Sequence, residues 1–232
     1  MRRRLFLRAV LLLVTLLFVF LGIVGLLLKQ EPEFYVRENA NTPRAEDSAQ
    51  AGKVVTRLNE LQDDMRSSQK GEWGASFPAE EINAFFRERE NNLASEAILR
   101  DVPDQRVAIE DDRLRIAIRK GTGFFSTVVE VEVRLWLVKD QSNLMALEIV
   151  GFRAGALPLP KNWILDEIST AARRQNADVN WYRNGSNPVA ICRLYSNQSR
   201  PETQITNFRI GESTISIGGR HTGSSVQPQL SK

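Results

Sequence analysis

The stretch TVVEVEVRLWLV, Thr127 to Val138, decides the fold class. Val129, Val131, Val133, Leu135 and Leu137 alternate with Glu130, Glu132 and Arg134. That period of two builds one apolar face on a strand, whereas a helix would scatter the same residues around its circumference. The stretch predicts a strand with one dry and one polar side. Upstream, RVAIEDDRLRIAIRK repeats the period. Val107 and Ile109 lead to a turn at Asp111-Asp112, and then Leu114, Ile116 and Ile118 alternate with Arg113, Arg115 and Arg119. A turn at Gly121 to Gly123 feeds Thr127, KDQSN turns the chain out again, and Leu144 to Phe152 returns. Short turns join antiparallel neighbours, since parallel ones need long crossovers, so these strands form a meander.

Beyond the meander lies GALPLPKNW, Gly155 to Trp163. Pro158 and Pro160 donate no ladder hydrogen bonds and hold the residues before them extended, so the strand ends near Ala156 in a stiff link. A helix follows, with Asp166 and Glu167 early, Arg173 and Arg174 late, and Ile164, Leu165, Ile168, Ala171 and Ala172 on its apolar face. DVNWYRNGSNPVAICRLY reads as two strands around Asn184-Gly185, and TQITNFRIGESTISIGG as a closing hairpin. On the N-terminal side, FPAEEINAFFRERE predicts a helix from Pro78 to Glu90. Glu80 and Glu81 sit at its positive end and Ile82, Phe85 and Phe86 on its buried face. Asn83, in its middle, is expected to bond a neighbouring backbone. Earlier still, Ala51, Val54, Leu58, Leu61 and Met65 recur at gaps of three and four within a helix over 45–68. That stripe fits packing on its own domain, and it also offers a short seam for a homodimer.

The N-terminus sets the class. Ala9 to Leu28 carries no charge, and 20 apolar residues in a helix span about 30 Å, the thickness of a bilayer's hydrocarbon core. VGLLLKQEPEF places leucines where a cleavage site wants small residues, which favours a retained anchor over a cleaved signal. The only cysteine, Cys192, is too distant for a lipoprotein anchor and has no disulfide partner. Arg2, Arg3, Arg4 and Arg8 outweigh Lys29, so the N-terminus is expected in the cytoplasm and the domain outside it, at a cell membrane. The organisation expected is therefore a basic segment 1–8, an anchor 9–28, a linker 29–44, a helix 45–68, an α+β domain 69–219 and a disordered tail 220–232. The fold class is α+β: an N-terminal transmembrane helix, then a curved antiparallel sheet of about six to eight strands with two or three helices on one face.

Charge excludes one class of function. The net of +3 contains five positive charges from Arg2, Arg3, Arg4, Arg8 and Lys29, with no acid before Glu31, and setting those aside leaves −2. A nearly neutral domain gives no electrostatic footprint for nucleic acid. The only histidine, His221, falls in the expected tail, out of reach of a Ser-His-Asp or Cys-His arrangement. Zinc ligands and a phosphate-binding loop are not evident, so no metal, cofactor or catalytic residue is assigned. Two carboxylate pairs, Glu80 with Glu81 and Glu130 with Glu132, leave open a hydrolase acting on envelope polymers, although solvated roles explain both. Asn184 and Asn197 match glycosylation acceptors, which matter only in a eukaryote.

The better candidate is an apolar rim. Phe152, Leu157, Leu159 and Trp163 cluster where the prolines stiffen the backbone, with Trp181 and Tyr182 available to join them. A stiff link lowers the ordering cost of contact, and tryptophan and tyrosine suit sites with one dry and one wet end. The alternative is that Leu157 and Leu159 cap the core. The order of motifs, an anchor, FPAEEINAFF, TVVEVEVRLWLV, GALPLP before a helix and a closing ISIGG, resembles the YpmS-like family of uncharacterised bacterial membrane-anchored proteins. That resemblance implies a bacterial envelope setting without an activity. The architecture is also loosely similar to tubular lipid-binding modules, and the helix over 45–68 departs from the family's pattern. A binding or scaffold protein is expected, its ligand a lipid, a cell-wall component or a membrane-protein partner.

Overall fold

The computed structural model describes residues 2–40, 45–66, 71–91, 104–139, 141, 143–174, 179–193 and 203–222. Among them the chain forms α1 (Arg2–Lys29), α2 (Glu33–Ala40), α3 (Ala45–Arg66), β1 (Glu72–Pro78), α4 (Ala79–Asn91), β2 (Gln105–Glu110), β3 (Arg113–Lys120), β4 (Thr127–Leu137), β5 (Leu144–Ala154), β6 (Leu157–Pro158), α5 (Asn162–Arg174), β7 (Val179–Asn184), β8 (Asn187–Arg193), β9 (Thr203–Gly211) and β10 (Thr214–His221). The fold is α+β. The meander β2-β3-β4-β5 continues into the hairpin β8-β7, with β6 folded back on β5, to give a seven-stranded antiparallel sheet.

Register explains how β5 serves the dry face. Val131 pairs with Ile116 and Phe152, Val133 with Leu114 and Ile149, and Leu135 with Leu147. The pairing skips Val150, a bulge that puts even-numbered Phe152 and Ala154 on the same side as odd-numbered Ile149 and Leu147. Gly151 lies opposite Glu132, and a side chain there would crowd that carboxylate.

The closing hairpin does not extend this sheet. β9 and β10 join β1 in a separate three-stranded sheet of order β1-β10-β9. EWGASFP, with its Gly, Ser and Pro, carries little strand signal, and β1 exists because β10 pairs with it from Pro78↔Thr214 to Glu72↔Arg220. Trp73 is buried where Gly219 leaves room, since a Cβ at Gly219 would stand 2.2 Å from the indole.

Two expectations are corrected. The linker 29–44 contains α2, whose Phe34 and Tyr35 are the largest fully buried side chains, packed with Ala108, Ala117 and Val128. Those three small residues lie on the polar side of the sheet, and their size makes the hollow the rings fill. The tail does not begin at Arg220 either: β10 runs to His221, which is buried, its Nε2 2.9 Å from the Asp64 carbonyl and its Nδ1 3.3 Å from Thr203 Oγ1. Residues beyond Thr222 and the acceptor at Asn197 lie outside the described residues.

Helices α2, α3 and α4 are locked together by charge. Arg87 is buried and donates to both Asp47 oxygens, at 3.1 and 2.9 Å, and to Glu38 at 3.4 Å. Burial alone would lower its pKa, but the two carboxylates reverse that and hold it above its ordinary value. Arg57 on α3 pairs with Glu81 on α4 and also reaches the Ser76 carbonyl. Of the α3 stripe, Ala51 and Val54 are buried within the chain, whereas Leu58 is exposed and Leu61 and Met65 are half-buried. A second copy would find only the latter three.

Two buried asparagines finish the sheet edges. Asn83 donates to the Val107 carbonyl at 2.9 Å and accepts from the Val107 N–H at 2.8 Å, replacing a neighbouring strand at the free edge of β2. Asn143, at φ 59°, does the same for β9, bonding the Thr203 carbonyl and the Ile205 N–H at 2.8 Å each. Each amide satisfies one backbone donor and one acceptor that would otherwise be buried unpaired.

Candidate functional site: the seat of the apolar helix

Helix α1 is apolar and exposed, and Val10–Lys29 is long and apolar enough to cross a membrane. Its last turn docks on the domain. The final carbonyls of a helix have no partner within it. Here the Leu27 carbonyl accepts the Ala156 N–H at 2.8 Å, and the Leu28 carbonyl accepts the Thr127 hydroxyl at 2.6 Å. Lys29 donates to the Ser126 carbonyl at 3.0 Å. Gly155 turns at φ 57°, and a Cβ there would stand 2.4 Å from the Leu27 oxygen. The backbone approach therefore requires glycine. Arg119 continues the attachment, bonding Glu31 at 2.8 Å and lying over the Tyr35 ring.

GALPLP is thus the seat of α1. Leu157 is half-buried in β6, and Leu159 donates its N–H to the Phe152 carbonyl at 2.8 Å. Trp163, at the start of α5, is 61 % exposed. Trp181 bonds Ser169 on α5 through its indole nitrogen at 2.8 Å, so α5 stands on the Trp181 side of the sheet. Tyr182, one residue on, turns to the opposite face and is exposed. The structure therefore brings Phe152, Leu157 and Leu159 close along the backbone at the seat, leaves Trp163 exposed at the start of α5, sets Trp181 against the middle of α5, and turns Tyr182 to the other face.

The two faces of the main sheet differ in kind. Trp181 pairs with Ala190, Ala190 with Leu147 and Leu147 with Leu135, so all four belong to the apolar face. On that face Val107, Ile109, Val133 and Ile149 are buried, whereas Ile116, Ile118, Val129, Val131, Leu135 and Phe152 are only half-buried. Helix α5 is strongly amphipathic, yet none of its residues is buried. Its Ile164, Leu165 and Ile168 are half-buried, like the sheet face beside them. Cys192, on the same face, has its thiol pKa raised by burial, which keeps it protonated and inert.

On the charged face the two buried acids are held by fixed partners. Glu130, 2 % exposed, accepts from Arg115 Nε at 2.7 Å and from Arg153 at 2.8 and 2.6 Å. Arg115 reaches on to Glu110 and lies over the Phe34 ring, 4.6 Å from its centre. Burial works to lower the Arg115 pKa, but Glu130 and Glu110 outweigh it and raise the group above its ordinary value. Glu148, also 2 % exposed, receives Arg134, Asn184 and Asn187. Glu130 and Glu132 do line one cleft of about 580 Å³ with Arg115, Arg153 and Pro158. Glu130 is therefore not solvated, and both its oxygens are engaged by guanidinium groups, while Glu132 is held by Arg113 at 2.5 Å. Glu81 is paired with Arg57, and Glu80 is exposed. Among the described residues no group of three His, Cys, Asp or Glu side chains could hold a metal ion.

No protein-family model, curated protein or solved structure matches the chain. The architecture itself defines the class: an α+β domain of two antiparallel sheets seated on the end of one apolar N-terminal helix.

Proposed function

We propose that this is a single-pass membrane protein of the bacterial envelope whose extracytoplasmic domain sits on the bilayer surface and binds a membrane lipid by its acyl chains. The observation that carries this reading is the capping of the Leu27 and Leu28 carbonyls by Ala156 and Thr127. A cleaved signal would take those contacts with it, whereas a retained anchor holds the end of the domain at headgroup level. The half-buried part of the apolar face of β3, β4 and β5, beside the half-buried stripe of α5, then opens next to the membrane. Acyl chains would complete its burial at about 25 cal/mol per Å². The resemblance to YpmS-like proteins suits this setting, and the arginines in the first turns of α1 favour a cytoplasmic N-terminus.

The test is photocrosslinking of the full-length protein in vesicles containing a lipid with a photoreactive acyl chain. Adducts are expected on β3 to β5 and α5. Val131→Trp, which fills the half-open face, is expected to abolish them without unfolding the domain. Gly155→Val, which drives a side chain into the Leu27 carbonyl, is expected to reduce them by unseating the domain. Adducts confined to α1, or a Val131→Trp protein that no longer folds, would return the face to the ordinary core.

A further inference from the structure

The turn between β3 and β4 carries two of the most exposed large side chains outside α1. Phe124 and Phe125 are 81 % and 86 % exposed and meet edge to face, with centroids 5.6 Å apart. They are not on a loose loop. Gly123–Phe125 is a 3₁₀ turn closed by the Phe125 N–H to the Thr122 carbonyl and by the Ser126 N–H and hydroxyl to the Gly123 carbonyl. Gly121, at φ 83°, permits it, since a Cβ there would stand 2.6 Å from the Phe125 oxygen. A well-made turn that presents two adjacent phenylalanines makes an apolar patch left largely exposed among the described residues.

Its position says what covers it. Lys29, the last residue of α1, bonds the Ser126 carbonyl and lies 5.1 Å over the Phe124 ring. A lysine ending a membrane-spanning helix sits at the headgroup layer, where its ammonium stays hydrated and aromatic rings partition favourably. The phenylalanines are therefore at that same level. We propose that the Phe124-Phe125 turn inserts into the interfacial layer of the bilayer that α1 crosses. It gives the domain a second foot on the membrane and fixes the domain's orientation about the anchor.

The experiment uses the full chain in phosphatidylcholine–phosphatidylglycerol vesicles. In a Cys192→Ala background, a nitrobenzoxadiazole fluorophore is attached to Phe125→Cys, and in a parallel sample to Glu212→Cys in the β9–β10 turn. The label at 125 is expected to emit to the blue of the label at 212. It is also expected to be quenched several-fold more by lipids carrying a nitroxide near the headgroup. Equal emission and equal quenching at the two positions would overturn the proposal. Phe124→Ser with Phe125→Ser supplies a second measurement. Because both rings are exposed, thermal unfolding should not move, while energy transfer from the label at 212 to acceptor lipids should broaden. An unchanged transfer distribution would equally reject the second foot.

Discussion

The two faces of β4 invert the usual arrangement. Its charged side is closed around Glu130, beside the cleft that Glu132 lines: Glu130 lies beneath Arg115 and Arg153, Arg115 lies on Phe34, and Phe34 and Tyr35 fill the hollow over Ala108 and Ala117. Its apolar side is closed at Val133, which meets the buried Ile149, and half-open on either side of it at Ile116, Val131 and Leu135. Buried charges survive only where every oxygen has a donor, so the closed face is built around fixed partners. The apolar face has no such requirement and tolerates a replaceable covering. The difference locates structure on one side of a strand and contact with the surroundings on the other.

Substitutions can break or sharpen that contrast. Arg115→Ala removes the more buried partner of Glu130 and is expected to cost about 3 kcal/mol, the low end for breaking a buried pair because Arg153 remains. Denaturant unfolding of the detergent-solubilised protein measures it, and a loss near zero would mean the charged face is not a closed structural element. Asn83→Ala leaves the Val107 N–H and carbonyl without their partner and should cost about 2 kcal/mol by the same assay. Leu135→Ala, on the half-open face, should cost only about 1 kcal/mol, below the ~2–5 kcal/mol of a fully enclosed leucine. A larger loss would show that this side is closed as well.

The smallest effect is at Tyr35. Its hydroxyl is buried and makes no well-formed hydrogen bond among the described residues, although Asn39 and Arg119 lie close enough to offset part of the effect of burial, so Tyr35→Phe should leave stability near neutral pH almost unchanged. Burial raises the phenol pKa above its ordinary value. The folded state thus holds the proton more tightly than the unfolded chain. The stability this contributes is complete below pH ~10 and is lost as pH rises through the higher folded value. Thermal unfolding measured across that range should show a steeper alkaline decline in the native protein than in Tyr35→Phe.

The meander, the long apolar N-terminal helix and the two well-signalled helices were legible in the sequence because each depends on a local period. Alternation over Thr127 to Val138, 20 uncharged residues from Ala9 to Leu28 and the dipole-matched ends of α4 and α5 need no distant partner to be recognised. The role of Asn83 was also legible, since an asparagine inside a helix must bond something. Other features depended on residues far apart in the chain. EWGASFP becomes a strand only because β10 offers it an edge, and His221 is held only because Asp64 and Thr203 meet it. Phe34 and Tyr35 become core only because two alanines on β2 and β3 leave space for them. The stiffness of GALPLP could be read from its prolines, but its task could not. A helix end has carbonyls to satisfy, and only the tertiary structure shows that Ala156 and Thr127 satisfy them, because hydrogen bonding between segments so far apart in sequence leaves no period in the chain.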